Sequence, residues 1–263
     1  MENKKIAIVG CGNLGLSILN GLLKEGITPN NLVATKRNLD SIRSVEKTGI
    51  TITTDNVEAV ENSEIIIVAL KQYKIIEVLG ELKAYFNPEK HIIVSLATGI
   101  SIEQIKTTLQ SDVPIFRAMP NTAADVGTSM TCICSNSNDQ KNNLLVKQCF
   151  DSIGNSIIID EDLMDSATVL GACGIAFVLR FIRGMIQGGI QTGFDAKTAT
   201  EIVTNTVKGA AELLIEGKEH PEFEIDKVTT PKGCTIEGLN EMEHKGFSSA
   251  LIKGIVASYN KID

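Results

Sequence analysis

The sequence predicts an α/β fold in two parts: a parallel sheet laced by crossover helices, then an all-α segment. Three observations predict it. Short β-branched runs alternate with helical periodicities over residues 1–160, and helical periodicity then continues almost unbroken through residues 161–263. A glycine pattern, Gly10-x-Gly12-x-x-Gly15, falls where the first run hands over to the first helix. Alternation of this kind implies a parallel sheet, because a parallel neighbour is reached only through a crossover of a dozen or so residues, usually helical. A boundary near 160 is expected where the pattern changes.

The elements follow in order. "KIAIV" at 4–9 is the first strand, with a helix from about Leu14; "NLVAT" at 31–35 is the second, with a helix from about Leu39. "EIIIVAL" at 64–70, a helix over "IIEVLGELKAYF" and "HIIVSLA" at 91–97 continue the series, and "VPIFRAM", "TSMTCIC" and "NSIIID" complete the sheet. Beyond 160 only "HPEFEIDKVTTPKG", residues 220–233, interrupts the helices. The segment 168–194 is apolar nearly all round and dotted with glycines, so it must be buried on most sides. A helical segment of this size cannot cover such a helix easily, so a homodimer through the helical part is expected; packing on the sheet domain of the same chain is the alternative.

Composition narrows the partners. The 263 residues are 43% hydrophobic, enough for a sizeable core, and 25 basic against 32 acidic side chains give a net charge of −7 with no basic block. Nucleic acid is therefore not expected as a partner, and an anionic ligand must be captured by local amides and a few placed cations. The six cysteines, at 11, 132, 134, 149, 173 and 234, lack zinc-site spacing and read as reduced thiols, with no metal. Cys132 and Cys134, two apart in a strand, share a face. The chain opens directly on a strand without a secretory signal, and the apolar run Ser166–Leu179 is shorter than a membrane span, so a cytoplasmic protein away from membranes is expected.

The glycine loop points to a Rossmann-type dinucleotide-binding domain. Glycines there permit a tight turn and close approach of the backbone to a pyrophosphate seated on the amides of the first helix, which marks Gly10, Gly12 and Gly15; a structural tight turn is the other reading. An NAD site usually ends its second strand with a carboxylate for the ribose; here the strand ends Thr35-Lys36-Arg37-Asn38, a hydroxyl, two cations and an amide that suit a 2'-phosphate, with a solvated surface turn as the other reading. NADPH is the expected cofactor, with NADH also accommodated. Strand ends on the same edge carry Asp55, Asn56, Leu70, Lys71, Ala97 and the rigid stretch Met119-Pro120-Asn121-Thr122. Pro120 would stiffen a wall against the nicotinamide while Asn121 and Thr122 offer polar contacts; a plain strand-ending turn is the other reading. In "TTPKGCT", Thr230 reads as a helix N-cap with Pro231 in the first turn, and Gly233 leaves amides open to a carboxylate.

Together "GCGNLG", "RAMPNT", "LMDSATVLGACGIAF" and "HPEFEIDKVTTPKGCTI", spread over essentially the whole chain, resemble the pyrroline-5-carboxylate reductases. The resemblance implies a Rossmann domain followed by a helical dimerisation domain, with dimers assembling into larger rings, and NADPH-dependent reduction of 1-pyrroline-5-carboxylate to proline. It also implies that Thr230, Gly233, Cys234 and Thr235 hold the substrate carboxylate, with the Thr235 hydroxyl near the ring nitrogen as the catalytic group. Residues Gly10 to Leu14, Thr35 to Arg37, Asn56, Leu70, Lys71 and Ala97 would hold the cofactor. The chain departs from the family pattern at "GACGIA", "LKQY" and "TPKGCT". Two rivals remain at this point: a hydroxyacid dehydrogenase of the same build, which would need a lysine where "GIAFVLRF" is apolar, and a silent NADPH-binding regulator.

Overall fold

The computed structural model describes residues 1 and 3–262. Eight strands, β1 (Ile6–Val9), β2 (Leu32–Thr35), β3 (Thr51–Thr53), β4 (Ile65–Val68), β5 (Ile92–Ser95), β6 (Ile115–Met119), β7 (Ser129–Ser135) and β8 (Gly154–Ile158), form one sheet. Their order is β3-β2-β1-β4-β5-β6-β7-β8. The first six are parallel in the order of a dinucleotide-binding sheet, whose strand order turns outward in opposite senses on either side of the β1–β4 pair.

Helices α1 (Asn13–Lys24), α2 (Arg43–Glu46), α3 (Asn56–Glu61), α4 (Gln72–Leu82), α5 (Ile102–Leu109) and α6 (Gln140–Asp151) lie between the strands. Alternation along the strands feeds two cores, one on each face. In β4, Ile65 and Ile67 join Ile18, Leu22 and Phe116 on one side, whereas Ile66 and Val68 join Ile75, Leu79 and Ile105 on the other. A strand covered on both faces has no polar side to show, which is why β4 reads as continuous isoleucine and valine.

Three elements differ from expectation. The second crossover is no full helix: a 3-10 turn, Leu39–Ile42, and the single turn of α2 lead into the unforeseen β3. Next, β7 runs antiparallel to β6. Only nine residues separate Met119 from Ser129, too few for a crossover, so the chain doubles back through a 3-10 turn at Thr122–Val126. Then α6 returns it to β8, parallel to β7.

Beyond β8, α7 (Met164–Ala167), a π-helical stretch at Thr168–Cys173 and α8 (Gly174–Gln191) form one continuous helical run, since the "GACGIA" segment contains no proline to interrupt it. The chain divides into compact units at Met1–Cys173 and Gly174–Lys261. In the second, α9 (Ala196–Gly217) packs on α8 through Ile182, Ile186, Ala199, Val203 and Val207. Asp195 caps α9, accepting from the Lys197 and Thr198 amides at 2.9 and 3.1 Å. The last helices are α10 (Pro221–Val228), α11 (Cys234–His244) and α12 (Phe247–Tyr259), with Phe181 and Phe247 in ring contact at 6.0 Å. The presence of α10 corrects the expected break in helix at 220–233: His220 caps it and Pro221 fills its first turn, which needs no amide donor.

Large apolar side chains of this unit stay open in the single chain, among them Leu179, Phe194, Ile202, Ile215 and Ile252. By length and composition alone the helical run Glu161–Gln191, with an 18-residue stretch of mean hydropathy 1.8 inside it, is long and apolar enough to cross a membrane, longer than the stretch read from sequence.

Within the first unit, Arg117 in β6 is almost fully buried and donates to Glu161 at 2.8 Å, the same carboxylate oxygen that accepts the Ile102 amide at 2.8 Å. One acid thus ties the strand, the first turn of α5 and the start of the long helical run. Removing the guanidinium leaves that acid in a half-dry site without its cation. Since Glu161 is about a third exposed, Arg117→Met is expected to cost about 2 kcal/mol, below the 3–5 typical of fully buried pairs. Urea denaturation measures it, and an unchanged midpoint would count against the staple.

Candidate functional site

The loop between β1 and α1 is shaped by its glycines. Gly10 has φ +81 and lies against Leu70, two residues past β4, so a side chain there would be both strained and crowded. At Gly15 an added Cβ would lie 3.0 Å from Ile8 and 3.1 Å from the Cys11 sulfur, so this glycine lets α1 close on the strand. Gly12 has nothing within 4 Å and is the N-cap of α1 with no side-chain cap bond, which leaves the first-turn amides of Asn13 and Leu14 open to an anion. Cys11 points inward: burial pushes its thiol up to about 11, with Lys36 pulling the other way, so this sulfur is a packing group.

The end of β2 reaches the same loop. The Cys11 amide donates to the Thr35 carbonyl at 2.7 Å and the Gly10 amide to the Thr35 hydroxyl at 3.2 Å. Thr35 in turn donates to Asn56 Oδ1 at 2.6 Å. Lys36 is half-buried and Arg37 exposed, and among the described residues neither forms an ion pair. One oxygen of Asp55 is taken up by its own helix: it caps α3, accepting from Val57 at 2.8 Å and Glu58 at 3.2 Å.

Farther along the edge, Lys71 is the N-cap of α4 without a side-chain cap bond, and Ala97 is buried beside Ser95, whose hydroxyl accepts the Ala97 amide at 3.3 Å. Met119 and Pro120 are buried. Asn121 is the keystone of the reversal. Its side chain accepts from Ala123 at 3.0 Å and donates to the Gly171 carbonyl at 3.1 Å, while its amide donates to Ser129 Oγ at 3.0 Å. These bonds to three segments explain a polar residue at the end of a buried strand. Sequence reading missed one connection here: Ser17 of α1 donates to the Asp125 carboxylate, joining the phosphate-loop helix to the same turn.

In the second unit, Thr230, Pro231 and Lys232 form a turn, with Lys232 at φ +61, and the N-cap of α11 is Gly233. Thr230 was expected to be that cap; the helix starts later because the turn closes on itself first, the Gly233 amide donating to the Thr230 carbonyl at 2.9 Å. A Cβ on Gly233 would come within 2.5 Å of the Thr230 hydroxyl, so only glycine fits. Cys234 and Thr235 are the first residues of α11, and among the described residues the Thr235 hydroxyl has no hydrogen-bond partner. No side chain caps this terminus. It is a short row of amides beside a free hydroxyl, suited to a carboxylate.

Comparisons with known proteins agree along the chain. A family model described as pyrroline-5-carboxylate reductase dimerisation matches residues 161–263, and one described as NADP oxidoreductase, coenzyme F420-dependent, matches residues 5–99. The chain is 47% identical to pyrroline-5-carboxylate reductase 1 of Dictyostelium discoideum over 97% of its own length, spanning 49% of that protein. It is 42% identical to pyrroline-5-carboxylate reductase 2 of the same organism over 99% of its own length and 92% of the relative's. A Plasmodium falciparum pyrroline carboxylate reductase solved with NADP bound superposes with a TM-score of 0.88 at 27% identity, covering 99% of this chain and 97% of that one. The apolar helices left open in the single chain fall inside the dimerisation match, which accounts for their composition. With a nucleotide-shaped glycine loop, an uncapped amide row at Gly233 and near full-length relatives of one kind, the chain belongs to the pyrroline-5-carboxylate reductase family.

Proposed function

We propose that this chain carries out its family's reaction, the NADPH-dependent reduction of 1-pyrroline-5-carboxylate to proline, with the residues identified above. The observation that carries the reading is the glycine loop of Gly10 to Leu14, open at Gly12 and followed across the sheet by Lys36 and Arg37 in place of a ribose-binding acid.

NADPH, when bound, supplies a hydride from nicotinamide C4. The protein's own contribution is to hold and orient. Amides of Gly12 to Leu14 receive the pyrophosphate, Lys36, Arg37 and Asn56 face the adenosine end, and Leu70, Lys71 and Ala97 line the strand ends. Met119 and Pro120 form a rigid wall held in place by Asn121. At Gly233 to Thr235 the open helix terminus takes the substrate carboxylate, with Thr230 closing the turn. The cyclic imine is electrophilic at C5, so hydride addition there and proton gain at nitrogen complete the reduction. The Thr235 hydroxyl orients the nitrogen and relays that proton, directly or through water.

The reading divides the chain into a nucleotide domain, 1–160, and a helical domain, 161–263, that dimerises, with dimers closing into a ring. A net charge of −7 without a basic block supports a protein that does not engage nucleic acid, and the match of the apolar run to a dimerisation domain supports its burial against a partner subunit in a cytoplasmic enzyme instead of in a membrane. Loss of NADPH absorbance with pyrroline-5-carboxylate, and none with 2-oxo acids, is the direct test; turnover of oxo acids alone would replace this reading with a hydroxyacid dehydrogenase.

The cation pair makes a second test. Arg37→Asp is expected to weaken NADPH binding about tenfold, the worth of a charge-assisted contact, while NADH affinity stays within a factor of about two. Equal losses for the two cofactors, by titration calorimetry, would remove Arg37 from 2'-phosphate recognition.

A further inference from the structure

We infer that Thr35 acts as a positioning residue that fixes which way the Asn56 amide faces, and that this orientation favours the phosphorylated dinucleotide. The inference rests on NADPH binding at the glycine loop and deepens it.

Thr35 is 1% exposed, so its hydroxyl has little access to a ligand. A threonine hydroxyl has one hydrogen to give and two lone pairs. The Gly10 amide, which can only donate, takes one lone pair at 3.2 Å, and the single hydrogen is directed to Asn56 at 2.6 Å. Only the carbonyl side of an amide can receive it. Asn56 therefore turns Oδ1 inward and Nδ2 away, and among the described residues Nδ2 has no protein partner. The residue is half-buried at the first position of α3, next to Asp55, one oxygen of which caps that helix.

The outcome is selective by chemistry. Strands β2 and β3 are neighbours, with Thr35 paired to Thr53, so their ends bring Lys36, Arg37 and the Asn56 Nδ2 group to one corner. All three are donors. A phosphate offers acceptors only and matches them. A free ribose 2'-hydroxyl also has a hydrogen to give, and the acceptor of the Asn56 amide, Oδ1, is turned inward to Thr35. The same hydroxyl holds the Gly10 amide, so the phosphate loop and the 2'-corner share one anchor.

The test is a set of dissociation constants for NADPH, NADH, adenosine 2',5'-bisphosphate and 5'-AMP, measured by calorimetry without substrate. Thr35→Val keeps the shape but removes the hydrogen and frees the Asn56 amide to turn. It is expected to lower the NADPH to NADH affinity ratio about tenfold, with the same change between the bisphosphate and AMP, whereas Thr35→Ser keeps the wild-type ratio. Asn56→Asp, which puts an acceptor outward in the same shape, is expected to invert the preference. A merely structural role for Thr35 would weaken both cofactors alike. An unchanged ratio in Thr35→Val, with wild type preferring NADPH, overturns the inference alone; a wild type that does not prefer NADPH overturns both it and the cofactor reading.

Discussion

Gly154→Ala is expected to destabilise the protein by about 3–5 kcal/mol, the sum of backbone strain and an overlap that side-chain motion cannot relieve. Gly154 opens β8 at φ +148, opposite Ser129 of β7. An added Cβ would overlap the Ser129 carbonyl oxygen and amide nitrogen and lie 2.8 Å from its carbonyl carbon, all backbone. The strands must separate, breaking the bond from the Ser129 amide to the Ile153 carbonyl at 2.8 Å. Ser129 also receives the Asn121 amide, so the shift is passed to the wall at Met119 and Pro120. Urea denaturation should show the loss, together with weaker cofactor binding. Gly26→Ala is the control: it shares a positive φ, +85, but has nothing within 4 Å, and should cost about 1 kcal/mol from strain alone. Similar losses for the two variants would mean that the contact with Ser129 does not matter.

Thr235→Ala is expected to lower kcat about 100-fold, the lower end of what a positioned proton-transfer group contributes, while the NADPH dissociation constant stays unchanged. The hydroxyl stands in the first turn of α11 with no partner among the described residues, so its removal leaves no buried group unsatisfied and the fold intact. Thr235→Ser, which keeps the oxygen, should recover most of the activity. If alanine turns over as fast as wild type in steady-state assays, the proton reaches nitrogen by another route. A rise in KM without a fall in kcat would instead give Thr235 a role in carboxylate binding only.

The parts legible in the sequence are those whose cause is local. Gly10 and Gly15 announce the loop because each answers a nearby steric demand, Gly12 because it leaves the first-turn amides of α1 uncovered, and the isoleucines of β4 announce a buried strand because nothing polar can stand there. What escaped notice depends on partners distant in the chain. The three residues of β3, Thr51-Ile52-Thr53, have one apolar side chain and no period to detect; they become a strand only by pairing with β2. The reversal at β7 was readable in principle from the short link after Met119, but β-branched composition alone carries no direction. The start of α11 moved from Thr230 to Gly233 because a closed turn precedes it, and the signs of both are the same few residues. Least visible was Thr35: the sequence offers a hydroxyl beside two cations, and only the tertiary fold reveals that this hydroxyl serves Asn56 and Gly10.

Because the chain doubles back after β6, β7 and β8 at one margin of the sheet present their amino ends where the other six strands present their carboxyl ends. Length changes in neighbouring loops therefore carry opposite weight. Residues added between 121 and 128 would land on the nucleotide edge and disturb it, whereas the same number added at 136–139, after β7, would land on the far rim and leave catalysis alone.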